Sequence, residues 1–416
     1  MDKQGQQRSV QARTLQARQA IADGAISVLA QSGVAGLTHR AVAKAANVSL
    51  ASTTYHYATK GDILAEASRT LLAGYLEAFK RLEGRISGGL QPEFMHLEDL
   101  VTRVVLNAVE RDRTRSLAWC EIVLYGGRSE AGRMLAQDWF AQLDAIWRSI
   151  DAHLGSDVGP ENVSAAVDRA IGHIFLLLPL AFARPQVQKL LSGRTDLKAL
   201  LAAHVERDAA RSFEEAGRTG AESSERSKEV RERIVQAAID ILIDEGASAV
   251  SYGAVADRSG MVRSGPSYYF PTIHGLLETA QQALFERAKA RYREGLGDPA
   301  AAAITEMRLV DLTTAIFLRE VFEFSRENIG YYSVWMSGAQ NPDLRPVLAS
   351  FLGDQYAAWR RRLAAVAGHD INRTAVLDIQ ALFVGKLIRA ITTGAGMADL
   401  SGAREDFSVV IRRACV

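Results

Sequence analysis

The chain has 416 residues, 48% hydrophobic and 23% charged, with a formal net charge of +1. This is an ordinary composition for a globular protein of roughly two to four domains, and any surface for a polyanion must be local. The two cysteines, Cys120 and Cys415, give neither a metal spacing nor a disulfide framework.

The start, MDKQGQQRSV, is polar and lacks an apolar signal core. The longest apolar run, Ile174 to Ala183, is short for a membrane span and carries Pro179. A cytoplasmic protein without a membrane partner, metal or cofactor is expected. Strand patterning is nearly absent and apolar residues recur at helical spacing, so the expected fold class is all-α.

The first predicted helix runs from about Thr14 to Gln31, with Ile21, Ala25, Val28 and Leu29 on one face and Gly33 ending it. Thr38 is placed to cap a short helix, HRAVAKAA. A tight turn follows at Asn47, which tolerates a left-handed conformation. Ser49 can cap the next short helix, LASTTYHY. Helical patterning continues over 65–213. The helix through Ile174–Ala183 is expected to be kinked by Pro179. The polar stretch Glu214–Glu229 reads as a linker.

The pattern then repeats. Shifted by 213 residues, Arg18 meets Arg231, Ile21 meets Ile234, Gly33 meets Gly246, Ala41–Ala43 meets Ala254–Ala256 and Tyr55 meets Tyr268. One residue of slippage later brings Gly126 onto Gly338 and Trp147 onto Trp359. One module of roughly 200 residues is written twice. The expected boundaries are 10–64 and 65–213, then a linker over 214–229, then 230–277 and 278–416. A fused dimer and a pair of independent domains both fit such a repeat.

Two short helices joined by a tight turn make a helix-turn-helix, whose second helix enters the DNA major groove. A groove-facing helix is solvated when free, which explains why LASTTYHY has so few large aliphatic residues. Leu50, Ala51, Ser52, Thr53 and Thr54 are candidates for base edges, and Tyr55, His56 and Lys60 for phosphates. Thr38, Arg40, Lys44 and Ser49 complete the first DNA-binding set.

In the second copy Ser251, Arg263, Ser264, Ser267, Tyr268 and Tyr269 are the candidates. There Pro266 would break a helix begun at the equivalent position, so the helix is expected to start late, with Ser264 as its cap. Charge differs too. Residues 1–60 carry seven Lys/Arg against two acids, and residues 226–274 carry six against six. The second head should bind DNA more weakly.

Residues 18–64 resemble the DNA-binding head of the TetR family of bacterial transcriptional regulators. The family pattern is T-x-x-x-I-A-x-x-A-G-V-S-x-G-x-x-Y-x-x-F-x-x-K-x-x-L. Thr38, Val42, Ala43, Ala46, Asn47, Val48, Ser49, Lys60 and Ile63 or Leu64 fall in its slots. Thr54 takes the usual Tyr slot and Tyr57 the Phe slot. The resemblance implies a regulator, most often a repressor, with helical bodies that bind a small effector and dimerise through their last two helices. Those would be Asn162–Ala183 with Leu197–Glu214, and Asn372–Thr393 with Ala403–Ala414, pairing within one chain as a pseudo-dimer that can oligomerise further.

The candidate effector residues are Trp119, Tyr125, Trp139 and His173 in the first body and Phe324, Tyr331, Tyr332 and Trp335 in the second. Aromatic residues at helical spacing are equally what a core requires. Scarce buried charge suggests a mostly apolar effector. Enzyme signatures are missing. Glu121 near Trp119 is a possible acid without a partner at fixed spacing. The alternative is a helical interaction or ligand-sensing module whose second head no longer binds DNA.

Overall fold

The computed structural model describes residues 3–88, 96–154, 160–202, 225–296 and 304–415. Among them all regular structure is helical. In the first half the helices are α1 (Lys3–Gly36), α2 (His39–Ala45), α3 (Leu50–His56), α4 (Lys60–Ser87), α5 (Leu97–Leu106), α6 (Arg113–Gly126), α7 (Glu130–Leu154), α8 (Pro160–Leu177) and α9 (Arg184–Leu191). In the second they are α10 (Glu225–Asp244), α11 (Tyr252–Ser259), α12 (Gly265–Tyr269), α13 (Ile273–Leu296), α14 (Glu306–Phe322), α15 (Ser325–Ser337), α16 (Arg345–Ala367), α17 (Arg373–Thr393) and α18 (Ala403–Cys415).

Three expectations change. The first helix begins at Lys3 rather than near Thr14, and its break is at Gly33, where φ is +60°. Pro179 does not kink α8. It lies in a single 3-10 turn, Leu178–Leu180, that ends the helix before left-handed Ala181. The expected linker is helical from Glu225 onward, and the rest of it lies outside the described residues. So does most of the expected Leu197–Glu214 helix, of which 197–202 is described and helical.

α4 joins head to body. A capping box of Thr59 and Asp62 starts it. Its first turns bury Ile63, Leu64 and Ala67 against α1, and later turns bury Leu71, Leu72 and Phe79 in the body. One apolar core runs through both bodies and into the first head. The second head has its own core, built on Ile234, Ala238, Leu242, Val255, Phe270 and Leu276.

The two bodies meet through α8 and α17. A methyl on Gly172 would run into the backbone of Ala381, and one on Gly385 into that of Asp168. The shift of 213 carries one contact onto the other, Gly172 onto Gly385 and Asp168 onto Ala381, and the missing side chains let the helix backbones touch. Val163–Leu180 is apolar and long enough to cross a membrane, unlike the shorter run read from sequence, but it is almost wholly buried in this packing. Charges are buried there too. Arg389 donates to Asp168 (2.6 Å) and Asp144 (2.7 Å), and Lys386 pairs with Asp406 (2.6 Å). Trp335 Nε1 donates to the Phe175 carbonyl across the interface (2.7 Å).

A second pair of contacts is crosswise. Arg128, after α6, donates to the carbonyls of Ile243 (2.9 Å) and Leu242 (3.0 Å) at the end of α10. Gln340, after α15, donates to the carbonyl of Ala30 in α1. Each body thus satisfies open carbonyls near the end of the other head's first helix.

Candidate nucleic-acid interface and ligand chamber

The first head is built on local caps. Thr38 Oγ1 accepts from the Ala41 amide (3.1 Å) and Ser49 Oγ from the Ser52 amide (3.1 Å). Asn47 turns the chain between them at φ +53°. Val42, Tyr57, Ile63 and Leu64 are buried beneath. Thr38, Arg40, Lys44, Ser49, Leu50, Ala51, Thr54, Tyr55 and Lys60 are exposed, and Ser52 and His56 are partly so. Tyr55 projects furthest, at 84% exposure. Among the described residues, no ion pair holds Arg40, Lys44 or Lys60.

Thr53 is a correction. It is fully buried, donates to the Leu50 carbonyl (2.8 Å) and lies 3.3 Å from His39 Nδ1. A seven-residue helix packed on α2 must turn one residue of its middle inward, and Thr53 is that residue. Tyr57, in the usual Phe slot, is likewise core, with its hydroxyl 3.4 Å from Arg18 Nε.

The second head repeats this plan with changes. Ser251 Oγ accepts from the Ala254 amide (3.2 Å), and Gly260 at φ +67° takes the place of Asn47. α12 starts at Gly265 with Pro266 in its first turn, two residues later than the α3 equivalent. Ser264 stands at the cap position but makes no side-chain cap; its carbonyl accepts instead from Ser267 (3.0 Å). Arg263, Ser264, Ser267 and Tyr268 are exposed and Tyr269 is partly buried. Two other cations are occupied. Arg258 pairs with Asp244 (3.0 Å) and Glu245 (3.4 Å), and Arg231 donates to the Tyr269 carbonyl (2.9 Å).

In the bodies most candidate effector residues are packed together rather than around a space. Trp139 Nε1 donates to Ser68 Oγ (2.9 Å), and Trp119 meets Trp139 and Phe175 edge-on. His173 Nε2 pairs with Asp378 across the α8–α17 interface (2.9 Å). Tyr125 packs on Gly132. Phe324 lies under Arg291, 4.3 Å from its guanidinium carbon, and Tyr331 stacks on Trp335.

Only Tyr332 among them lines the large apolar chamber, about 700 Å³, enclosed by α13 to α17. Its walls also include Tyr292, Ile316, Phe351, Phe383 and Val384. Burial pushes the phenols of Tyr292 and Tyr332 well above their ordinary range, so both keep their protons at neutral pH. A Lys289–Asp354 pair (2.8 Å) stands with Arg361 and Arg362 on the lining.

Gln380 also lines the chamber. It is 3% exposed, and neither end of its amide has a hydrogen-bond partner in the protein. Sequence reading missed it, although the repeat shift places Gln380 opposite Val167, a polar residue where the first copy has an aliphatic one. The first body's counterpart space, between Phe79, Val104, Trp139, Leu143, Val167 and Ala170, measures about 40 Å³. A cleft of about 790 Å³ between α4, α5 and the start of α6 adjoins this space, sharing Tyr75, Phe79 and Val104 with it.

Glu121 proves to sit beneath the end of α1. Its carboxylate reaches Gly33 and accepts a backbone bond from Val34. Burial pushes its pKa up to about 7, against the opposing pull of Arg128. Ser333 takes the equivalent place under the second head and accepts from the Ala247 amide (3.2 Å).

No family model and no curated protein matches the chain. Among solved structures it is similar to a member of the TetR family from Streptomyces coelicolor A3. The identity is 30%, over 42% of this chain and 96% of that one, with a TM-score of 0.34. It is also similar to the multidrug binding protein EbrR complexed with imidazole. Here the identity is 29%, over 42% of this chain and 92% of that one, with a TM-score of 0.32.

Proposed function

We propose that the chain is a TetR-like DNA-binding transcriptional regulator, made of two fused modules that pair within one chain as a pseudo-dimer. The observation that carries this reading is the first head: two capped short helices about a left-handed Asn47, with Arg40, Lys44, Tyr55 and Lys60 exposed above a buried core. The reciprocal Gly172 and Gly385 contacts support pairing within the chain. The regulator is a cytoplasmic repressor, released from an asymmetric operator by a small, mostly apolar effector. The effector favours an arrangement whose heads no longer match successive major grooves about 34–36 Å apart.

DNA selection and salt-dependent binding test this. One chain should suffice for one operator with two unlike half-sites. Lys60→Ala should weaken binding to all sequences and lower the salt slope by about one ion. Arg263→Ala should relax preference at one base of the second half-site by about 1–3 kcal/mol. A palindromic operator bound only by two chains would overturn the fused-dimer reading. The second reading, a ligand sensor whose second head no longer binds DNA, is favoured by the occupied cations Arg231 and Arg258. It predicts that Arg263→Ala leaves DNA selection unchanged.

A further inference from the structure

We infer that the chain takes one ligand, not two, in the chamber of the second body, and that Gln380 selects a neutral aromatic molecule carrying a donor and an acceptor side by side on one edge, such as a lactam. This rests on the reading of the bodies as effector-binding. It adds which body binds, how many ligands bind and what chemistry is recognised.

Three observations converge. The first is volume. A space of about 700 Å³ suits a drug-sized molecule, whereas the counterpart of about 40 Å³ holds at most a water. The second is the reason for that difference. The register is 212 residues between α7 and α16 and 213 again between α8 and α17, where Gly172 matches Gly385, so Trp139 stands where Phe351 does, Leu143 where Gln355 does and Val167 where Gln380 does. The larger indole and the aliphatic side chains close the first space, with Trp119 packed on Trp139.

The third is the orphaned amide. A buried amide with no partner is costly, and a buried polar side chain normally finds one. In Gln380 both the NH2 and the C=O lack a partner, and the residue faces a chamber with aromatic walls. A ligand that offers one acceptor and one donor at that point satisfies both ends. A purely apolar ligand of the same shape leaves both open. A site built to hydrogen-bond its ligand discriminates strongly against the analogue that cannot respond.

The test uses two probes of similar shape, phenanthridin-6(5H)-one, a lactam with its N–H and C=O on one edge, and phenanthrene, which has neither. Calorimetric or fluorescence titration of the full chain without DNA should give one phenanthridinone per chain, bound at least about tenfold tighter than phenanthrene. In Gln380→Leu the preference should vanish while phenanthrene binding stays. Val384→Trp should abolish both.

Gln380→Leu should also raise the melting temperature, because it removes an unsatisfied buried amide, so loss of selectivity cannot be mistaken for misfolding. Two equivalents per chain, equal affinities in the unaltered protein, a preference that survives Gln380→Leu, no binding of either probe, or a lowered melting temperature in Gln380→Leu would each overturn the inference. Binding in the arginine-lined cleft between α4 and α5 would show as a titration indifferent to both variants, and it counts against the inference. Failure of the regulator reading shows differently, as a chain that binds phenanthridinone but retains no DNA.

Discussion

In the first head Arg40, Lys44 and Lys60 stand exposed without ion-pair partners, whereas in the second Arg258 is held by two acids and Arg231 by a backbone carbonyl. In the bodies the inequality is reversed. The first interior space is closed around Trp119 and Trp139, and the second is open and holds an unpartnered amide. A symmetric pair of identical subunits cannot do this, because any substitution appears twice. Once both copies lie in one chain, each can lose what the other keeps. What stays equal is the close backbone approach of α8 and α17 at Gly172 and Gly385, even though the ion pairs beside it are one-sided.

The largest expected effect tests that equality. Gly172→Val and Gly385→Val each force a side chain into the facing backbone. Each should cost about 3–5 kcal/mol or more in urea unfolding. The two costs should agree within about 1 kcal/mol, since the contacts are reciprocal. A large cost at one glycine and a small one at the other would mean that the interface itself has diverged.

A smaller effect separates the supports of the two heads. Glu121 has its pKa raised to about 7 in the folded chain, against 4.5 for a free side chain. An acid whose folded pKa is raised gives stability that is full below about pH 4.5 and is lost as pH rises through about 7. The protein should therefore lose about 1–3 kcal/mol between pH 4.5 and 7.5 from this group. In Glu121→Gln that loss should disappear from thermal melts taken across the same range. Ser333→Ala, at the equivalent place, should lower stability without changing its pH dependence. An unaltered pH profile in Glu121→Gln would remove this contrast between the halves.

The smallest effect concerns the heads' outer faces. Tyr55 and Tyr268 are 84% and 82% exposed. Replacing either by Ala should move stability by no more than about 0.5 kcal/mol. On DNA the two should part, with Tyr55→Ala weakening retention more than Tyr268→Ala in a filter or gel assay. Equal losses would show that the second head binds as strongly as the first.

Features encoded within a few residues were legible from the chain alone. The caps at Thr38 and Ser49, the left-handed turn at Asn47 and the late start of α12 each follow from one side chain acting on its own backbone. The pairing of α8 with α17 was within reach because the repeat marks the two helices as equivalents.

Features that depend on neighbours distant in sequence were not legible. Thr53 has the composition of a groove-facing residue, but its direction is set by packing against α2 and His39. The aromatic residues named for the effector are mostly those that fill space rather than enclose it. An indole is as suitable for closing a chamber as for lining one, and only volume decides. Gln380 drew no notice because a glutamine in a helix is unremarkable until its surroundings are known to be dry. Glu121 was noticed, but its partners Gly33 and Val34 lie 88 and 87 residues before it in the chain.

The crosswise contact of Gln340 with Ala30 has a further consequence. Tyr332, in the chamber wall, and Gln340 lie eight residues apart, on α15 and the turn that follows it. A ligand that displaces α15 would tug on the first head, where Arg40, Lys44 and Lys60 are exposed without ion pairs, before it reached the second. The geometry is that of crossed reins: the hand that feels the load on one side steers the other. Cutting that rein with Gln340→Ala would leave a chain that still fills its chamber and still grips DNA, yet no longer lets the first act on the second.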